Sequence, residues 1–147
     1  MISEMSDLEI AKKMLREEGF SLIIVKSGTV IHATREYGVI GLTNAIEKHG
    51  TVLIGSSVAD KVVGRAAAML CRYAEVSEVY AEVISEQGLK TLKDGGIRFE
   101  YKELVPKILN RARSELCPFE KLVSDCSKEE ECYEKIKNYL KTAMIKP

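Results

Sequence analysis

The chain has 147 residues, 46% hydrophobic and 30% charged, with 22 Lys and Arg against 22 Asp and Glu. That length supports one domain burying roughly two thirds of its unfolded surface. A zero net charge argues against a dedicated DNA binder, which needs a basic surplus to neutralise phosphate. The longest apolar runs, such as Leu22 to Val25, are strand-sized and far short of the roughly 20 residues of a membrane span, so no membrane association is expected.

The acidic, amphipathic stretch from Met1 to Glu18 lacks the basic flank and apolar core of a secretion signal, and the protein is expected to be cytoplasmic. Ser6 and Glu9 form a Ser-x-x-Glu capping box, and Leu8, Ala11, Met14 and Leu15 make a helical stripe that stops at Gly19. Ser21 to Lys26 and Thr29 to Thr34 are β-rich runs flanking Ser27-Gly28, a tight hairpin. A second helix is predicted from Gly38 to His49, with Leu42, Ala45, Ile46 and His49 on one face and Gly50 ending it. Thr51 to Ile54 then reads as a short strand covered on both faces.

Gly55-Ser56-Ser57 reads as the opening of a third helix, with Ser57 and Asp60 as its cap pair and Val62, Val63, Ala66, Ala67, Leu70, Tyr73 and Ala74 as its core face. Val79 to Ile84 is a buried strand. Ser85 caps a fourth helix that carries Leu89 and Leu92 and ends at Gly95-Gly96, and Ile97 to Tyr101 is the last strand. Beyond it lie a segment around Pro106 to Arg113, a helix start at Cys117-Pro118, and a polar helix from about Lys128 to Ala143. The four cysteines, Cys71, Cys117, Cys126 and Cys132, contain no Cys-x-x-Cys pair. Free thiols are the default, with Cys126 and Cys132 as an alternative metal or disulfide pair.

A hairpin followed by strand-helix alternation predicts a mixed sheet with helices on both faces. That order is similar to the cytidine-deaminase-like fold. The segments Asp60 to Ala68, Val83-Ile84-Ser85-Glu86, and Leu104-Val105-Pro106 through Asn110-Arg111 to Cys117-Pro118-Phe119-Glu120 resemble a bacterial and archaeal domain-of-unknown-function family assigned to that fold. The resemblance covers roughly residues 20–123. It implies a three-layer α/β sandwich with a mixed five-stranded sheet, one domain over 1–147, and a helical extension over about 124–147. It is silent on activity, which fold analogy does not supply.

Zinc deaminases carry His-x-Glu (or Cys-x-Glu) at one helix start and Pro-Cys-x-x-Cys at the next. Placed against that pattern, this chain offers Tyr37-Gly38-Val39-Ile40-Gly41 and Gly55-Ser56-Ser57-Val58-Ala59-Asp60, with neither thiolate nor imidazole. No metal and no cofactor is expected, because zinc lacks its soft ligands. Two helix starts converging on one pocket still present unpaired N–H groups and positive dipole ends. Gly38, Gly41 and Gly55 allow close approach, Ser56 and Ser57 add hydroxyls, and Lys61 adds a cation, a combination suited to phosphate or carboxylate. The same residues also serve as ordinary caps and turns, and Asp60 reads either as a cap partner or as a ligand-facing group.

Cys117 precedes Pro118, so its thiol is expected at an N-cap with Arg111 and Arg113 near in sequence. This is the setting of a nucleophile, or of a half-buried structural thiol. Asn110 and Arg111 either clamp a ligand or tie down an irregular segment. His32 is expected to pack within a strand, and His49 to sit at a helix end. Gly64, Ala68 and Cys71 form a small-residue stripe, read as an exposed homodimer surface. Three functions remain open: a binding domain for a small anionic, nucleotide-like ligand; a cysteine-dependent transferase using Cys117; and a protein-interaction module.

Overall fold

The computed structural model describes residues 5–145; residues 1–4, the beginning of the acidic stretch, and residues 146 and 147 lie outside the described residues. Helix α1 (Asp7–Glu18) starts as its sequence dictates. Ser6 Oγ accepts from the Glu9 N–H, the Glu9 carboxylate accepts from the Ser6 N–H, and Gly19 closes the helix at φ 72°. Its Leu8, Ala11 and Leu15 pack on Ile23, Val25, Ala59 and Tyr80. Strands β1 (Leu22–Lys26) and β2 (Thr29–Thr34) form the hairpin. Ser27 and Gly28 both have positive φ, 52° and 76°, the geometry that matches strand twist. The Asp7 carboxylate accepts both turn amides, at 2.9 and 2.8 Å, and so staples α1 to the hairpin.

The chain continues through α2 (Gly38–His49), β3 (Ser57–Val63), α3 (Arg65–Tyr73), β4 (Glu78–Ser85), α4 (Glu86–Asp94), β5 (Arg98–Val105), α5 (Pro118–Leu122) and α6 (Glu129–Ile145). The sheet order is β2-β1-β3-β4-β5, with β1 antiparallel to both neighbours and β3, β4 and β5 parallel. β1 buries both faces. Ile23 and Val25 meet α1, while Leu22 and Ile24 join the larger core beneath α2, α3 and α4. The result is a three-layer α/β sandwich around a mixed five-stranded sheet, carrying α6 as its helical tail. α6 packs on the outside of α3, where the Tyr73 and Tyr133 rings stack at 4.3 Å and Arg72 pairs with Glu129 at 2.8 Å.

Three sequence expectations are corrected. Thr51 to Ile54 is not a buried strand: Gly50–Leu53 is a single 3-10 turn, with Val52 and Ile54 47% and 43% exposed. Ser57 does not cap a helix and Asp60 is not its cap partner. Both lie in β3, and the third helix begins at Arg65. Tertiary burial overrode the local cap signal, since every residue from Ser56 to Asp60 is buried in the middle of the sheet. Gly64, Ala68 and Cys71 form no exposed stripe; all three are buried, because α3 is covered by the sheet on one side and α6 on the other. That surface therefore offers nothing for self-association. No helix of the described residues is long and apolar enough to cross a membrane.

α4 lies against the β3–α3 junction through Gly88, where an added Cβ would stand 2.6 Å from the Val63 carbonyl oxygen. Backbone on both sides cannot yield without moving a helix. Gly88→Ala is expected to destabilise the fold by roughly 1 to 3 kcal/mol, read as a lower urea midpoint, whereas an unchanged midpoint would show that α4 shifts freely.

Candidate functional site

α3 starts at the carboxyl end of β3, and its first amides have no partner within the helix. Gly64, at the N-cap, has no side chain to supply one. The partner comes from far along the chain. The Glu120 carboxylate on α5 accepts the Arg65 N–H with one oxygen and the Ala66 N–H with the other, both at 2.8 Å. Glu120 is 8% exposed, and each of these charge-assisted bonds is worth about 1.5 to 3 kcal/mol. Glycine at 64 is required, since a Cβ there would lie 2.4 Å from Glu120 Oε1. The Arg65 side chain then holds the following segment, donating from Nε to the Val123 carbonyl at 3.1 Å and from Nη2 to the Cys126 carbonyl.

Glu120 and Ile108 stand between two cavities. The inner one, about 60 Å³, is enclosed by Gly38 and Val39 at the start of α2, Val62 on β3, Gly64 and Ala67 on α3, and Cys117. The outer one, about 350 Å³, is bordered by Arg65, by Ser85 and Gln87 at the start of α4, and by Pro106 and Lys107 after β5. It lies outside the carboxyl ends of the parallel strands β3, β4 and β5, where open α/β sheets bind their ligands.

The structure brings only part of the sequence-derived set together. Gly38 and Cys117 reach the inner cavity. Gly41 is buried on α2, with room for no Cβ beside Thr34 and the Glu36 carbonyl. Ser56 and Ser57 sit at the opposite end of β3, roughly 20 Å from the start of α3. Ser57 Oγ donates to Glu78 at 2.6 Å, and the buried Ser56 hydroxyl has no partner among the described residues. Lys61, between Asp60 and Val62, faces away from that side of the sheet. Asn110 folds back on its own loop, accepting from the Ser114 N–H at 3.1 Å. The Arg111 guanidinium lies over the Tyr37 ring at 5.2 Å and not on a ligand-sized cavity. Cys117 is the N-cap of α5, but its thiol makes no capping bond. Outside the site, His32 Nδ1 meets His49 Nε2 at 3.2 Å, and burial, followed by the charges of His49 and Lys48, lowers the His32 pKa.

Gly64, Arg65, Ser85, Gln87, Lys107 and Glu120 were not read from sequence as site residues. The signal that points to them is spatial: the three segments carrying the family resemblance meet around these two cavities. The donor set does not fit zinc. The true start of α3, Gly64 to Ala68, carries no thiolate or imidazole, and its open amides are already filled by Glu120. Among the described residues no group of three or more His, Cys, Asp or Glu is placed to hold a metal ion.

Asp60 is the remaining polar group. It alternates with Val58 and Val62, so it faces α2 and α3 one step beneath the inner cavity. It is buried, next to Cys71, and no side chain among the described residues bonds it. Burial pushes its carboxyl up to about 7, against the opposing pull of the Val62 and Lys61 amides. Burial likewise raises the Cys71 thiol far above its ordinary range, and Asp60 adds to the effect.

The profile of the family described as TM1506, Domain of unknown function (DUF1893), matches residues 10–140. No curated protein sequence matches the chain. The crystal structure of a DUF1893 family protein (TM1506) from Thermotoga maritima superposes with a TM-score of 0.83 at 31% identity, covering 90% of this chain and 89% of that one. Weaker similarities are to Acinetobacter baumannii RibD (TM-score 0.47, 18% identity, 55% of this chain and 27% of that one). A dCMP deaminase from the cyanophage S-TIM5 gives 0.48 at 14% identity, with 65% and 93% covered.

The buried carboxyl of Asp60 has a direct consequence for stability. Between about pH 4 and pH 7 an unfolded aspartate is ionised while the folded one keeps its proton, so the folded state binds more protons and stability falls as pH rises. Below about pH 4 both states are protonated and the penalty vanishes; above pH 7 it is complete, at most about 4 kcal/mol. Asp60→Asn is expected to flatten this slope and to be more stable than the native protein at pH 7.5. Urea unfolding of both at pH 4.5 and 7.5 tests it, and parallel pH profiles would refute an ionisable Asp60.

Proposed function

The chain belongs to the DUF1893 family of domains of unknown function, and from the geometry of its site we propose that it is a metal-free deaminase-fold domain that binds a small anionic ligand. The ligand, of phosphorylated or nucleotide-like type, lies in the outer cavity between the starts of α3 and α4, beside Lys107. The observation that carries this reading is the Glu120 carboxylate on the first two amides of α3. It supports the view that this helix start favours an anion, as helix dipoles do, with the Glu120 carboxylate as the resident charge against which a ligand competes. A cavity of about 350 Å³ falls within the range of small-molecule sites. Ser85 and Lys107 add a hydroxyl and a cation at its rim.

The cysteine-dependent alternative has less support. Cys117 borders the inner cavity, whose 60 Å³ leaves no room for a donor substrate, and Arg111 is engaged with Tyr37.

A thermal-shift series with inorganic phosphate, ribose 5-phosphate and nucleoside monophosphates is expected to raise the melting temperature. Saturation at a hundred times the dissociation constant stabilises by about 2.7 kcal/mol. Lys107→Ala should weaken binding by about 1 to 3 kcal/mol, and Glu120→Gln, which removes the resident charge, should tighten it. If none of the probes shifts the native protein or Glu120→Gln, the anion-binding reading falls and the interaction module takes its place.

A further inference from the structure

β5 ends the sheet, and among the described residues no strand pairs with its outer edge. A free edge presents a row of N–H and C=O groups to any strand that can approach it. The flanking layers leave the approach open. Glu100, bonded to Lys12, and Lys102 lie on the α1 side of the sheet; Tyr101 and Glu103 lie on the α4 side. All four are exposed, as is Leu104. Lysine on an edge strand normally discourages pairing, because it meets no counter-charge there. β5 carries Lys102 but sets Glu100 two residues before it, on the same face.

That spacing is self-complementary. Two identical strands paired antiparallel in one sheet are related by a twofold axis perpendicular to it. Opposed residues in such a pair share a face, so one residue must stand opposite its own copy. With Glu100, Lys102 or Glu103 at the axis, like charges meet. With Phe99 or Leu104 there, only Arg98–Glu100 or Glu103–Val105 pair. With Tyr101 at the axis, Glu100 stands opposite Lys102 of the partner subunit, and symmetry repeats the pair on the other side. All of β5 except Val105 then finds a backbone partner.

We propose that the outer edge of β5 is a self-association surface, on which a second copy of this chain pairs antiparallel about a twofold axis at Tyr101. The two sheets join into one. The two tyrosines meet on the α4 side, and the two Glu100–Lys102 pairs lie on the α1 side, where Glu100 keeps Lys12 at 2.7 Å as its other neighbour. The pairing uses none of the groups bordering the inner and outer cavities, so it stands whether or not an anion binds there.

Sedimentation velocity of the native full-length protein is expected to show a concentration-dependent equilibrium between monomer and dimer. Glu100→Lys and Lys102→Glu each oppose like charges twice, and each should raise the dissociation constant by roughly tenfold or more. Mixed in equal amounts, the two variants oppose unlike charges at every such position. They should form a heterodimer about as stable as the native dimer, a rescue that misfolded variants could not give. Tyr101→Cys should cross-link between chains under mild oxidation, since opposed Cα atoms lie about 4.5 to 5.5 Å apart, and Phe99→Cys should not. A chain that stays monomeric up to its solubility limit, or a dimer that both charge reversals leave intact, would overturn the proposal. So would variants that lose the dimer and do not regain it on mixing, or a cross-link stronger at Phe99→Cys than at Tyr101→Cys.

Discussion

The first turn of α3 must find partners for its amides, and much of the molecule is arranged around how it does so. Gly64 offers no side chain, so the helix takes a carboxylate from fifty-five residues away. That single demand places α5 over the carboxyl ends of the parallel strands and divides the space there into a small inner and a larger outer cavity. It also fixes the direction in which Arg65 points, and through Arg65 the loop that joins α5 to α6. Removing Glu120 would leave two buried donors unpaired, the costly kind of loss. A neutral amide would keep part of the geometry.

Local chemistry made much of the fold legible. The Ser6–Glu9 box, the Ser27-Gly28 turn and the Ser85 cap all formed where their residue types place them, because each is satisfied within a few residues. The β3–α3 boundary was not legible. A strand buried on both faces normally reads as an apolar run, but β3 carries Asp60-Lys61 at its centre, and a Ser-x-x-Asp pattern imitates a helix cap. Thr51 to Ile54 misled in the opposite sense, since four β-forming residues read as a strand while the chain uses them in a tight turn after α2.

The site suffered from the same shift. Once α3 is moved from Ser57 to Arg65, the serines and Lys61 leave the pocket, and Glu120 and Lys107 enter it. No local pattern marks Glu120, because its role depends on a partner distant in sequence. The small residues Gly64, Ala68 and Cys71 were read as an outer ridge for want of knowledge that α6 lies over α3. In fact Gly64 is small because the Glu120 carboxylate closes on it, and Ala68 and Cys71 are buried in the core that α3 shares with its neighbours. Asp60 keeps a place near the pocket, for a reason the cap pattern did not contain: it is an acid held in an apolar interior, the kind of group that active and binding sites often contain.

The staple between Asp7 and the hairpin turn bears on the order of assembly. It closes only twenty to twenty-one residues, and α1, β1 and β2 find many of their contacts with one another. Such short-range contacts form early, because little chain entropy is lost in making them. The clamp of Glu120 on α3 closes a span of fifty-four to fifty-five residues and needs β3, β4 and β5 already aligned. On that entropy cost the sheet is expected to form before α5 closes over it, and the cavities to be defined last. Local unfolding that begins at α5 is then expected to open them with the sheet intact.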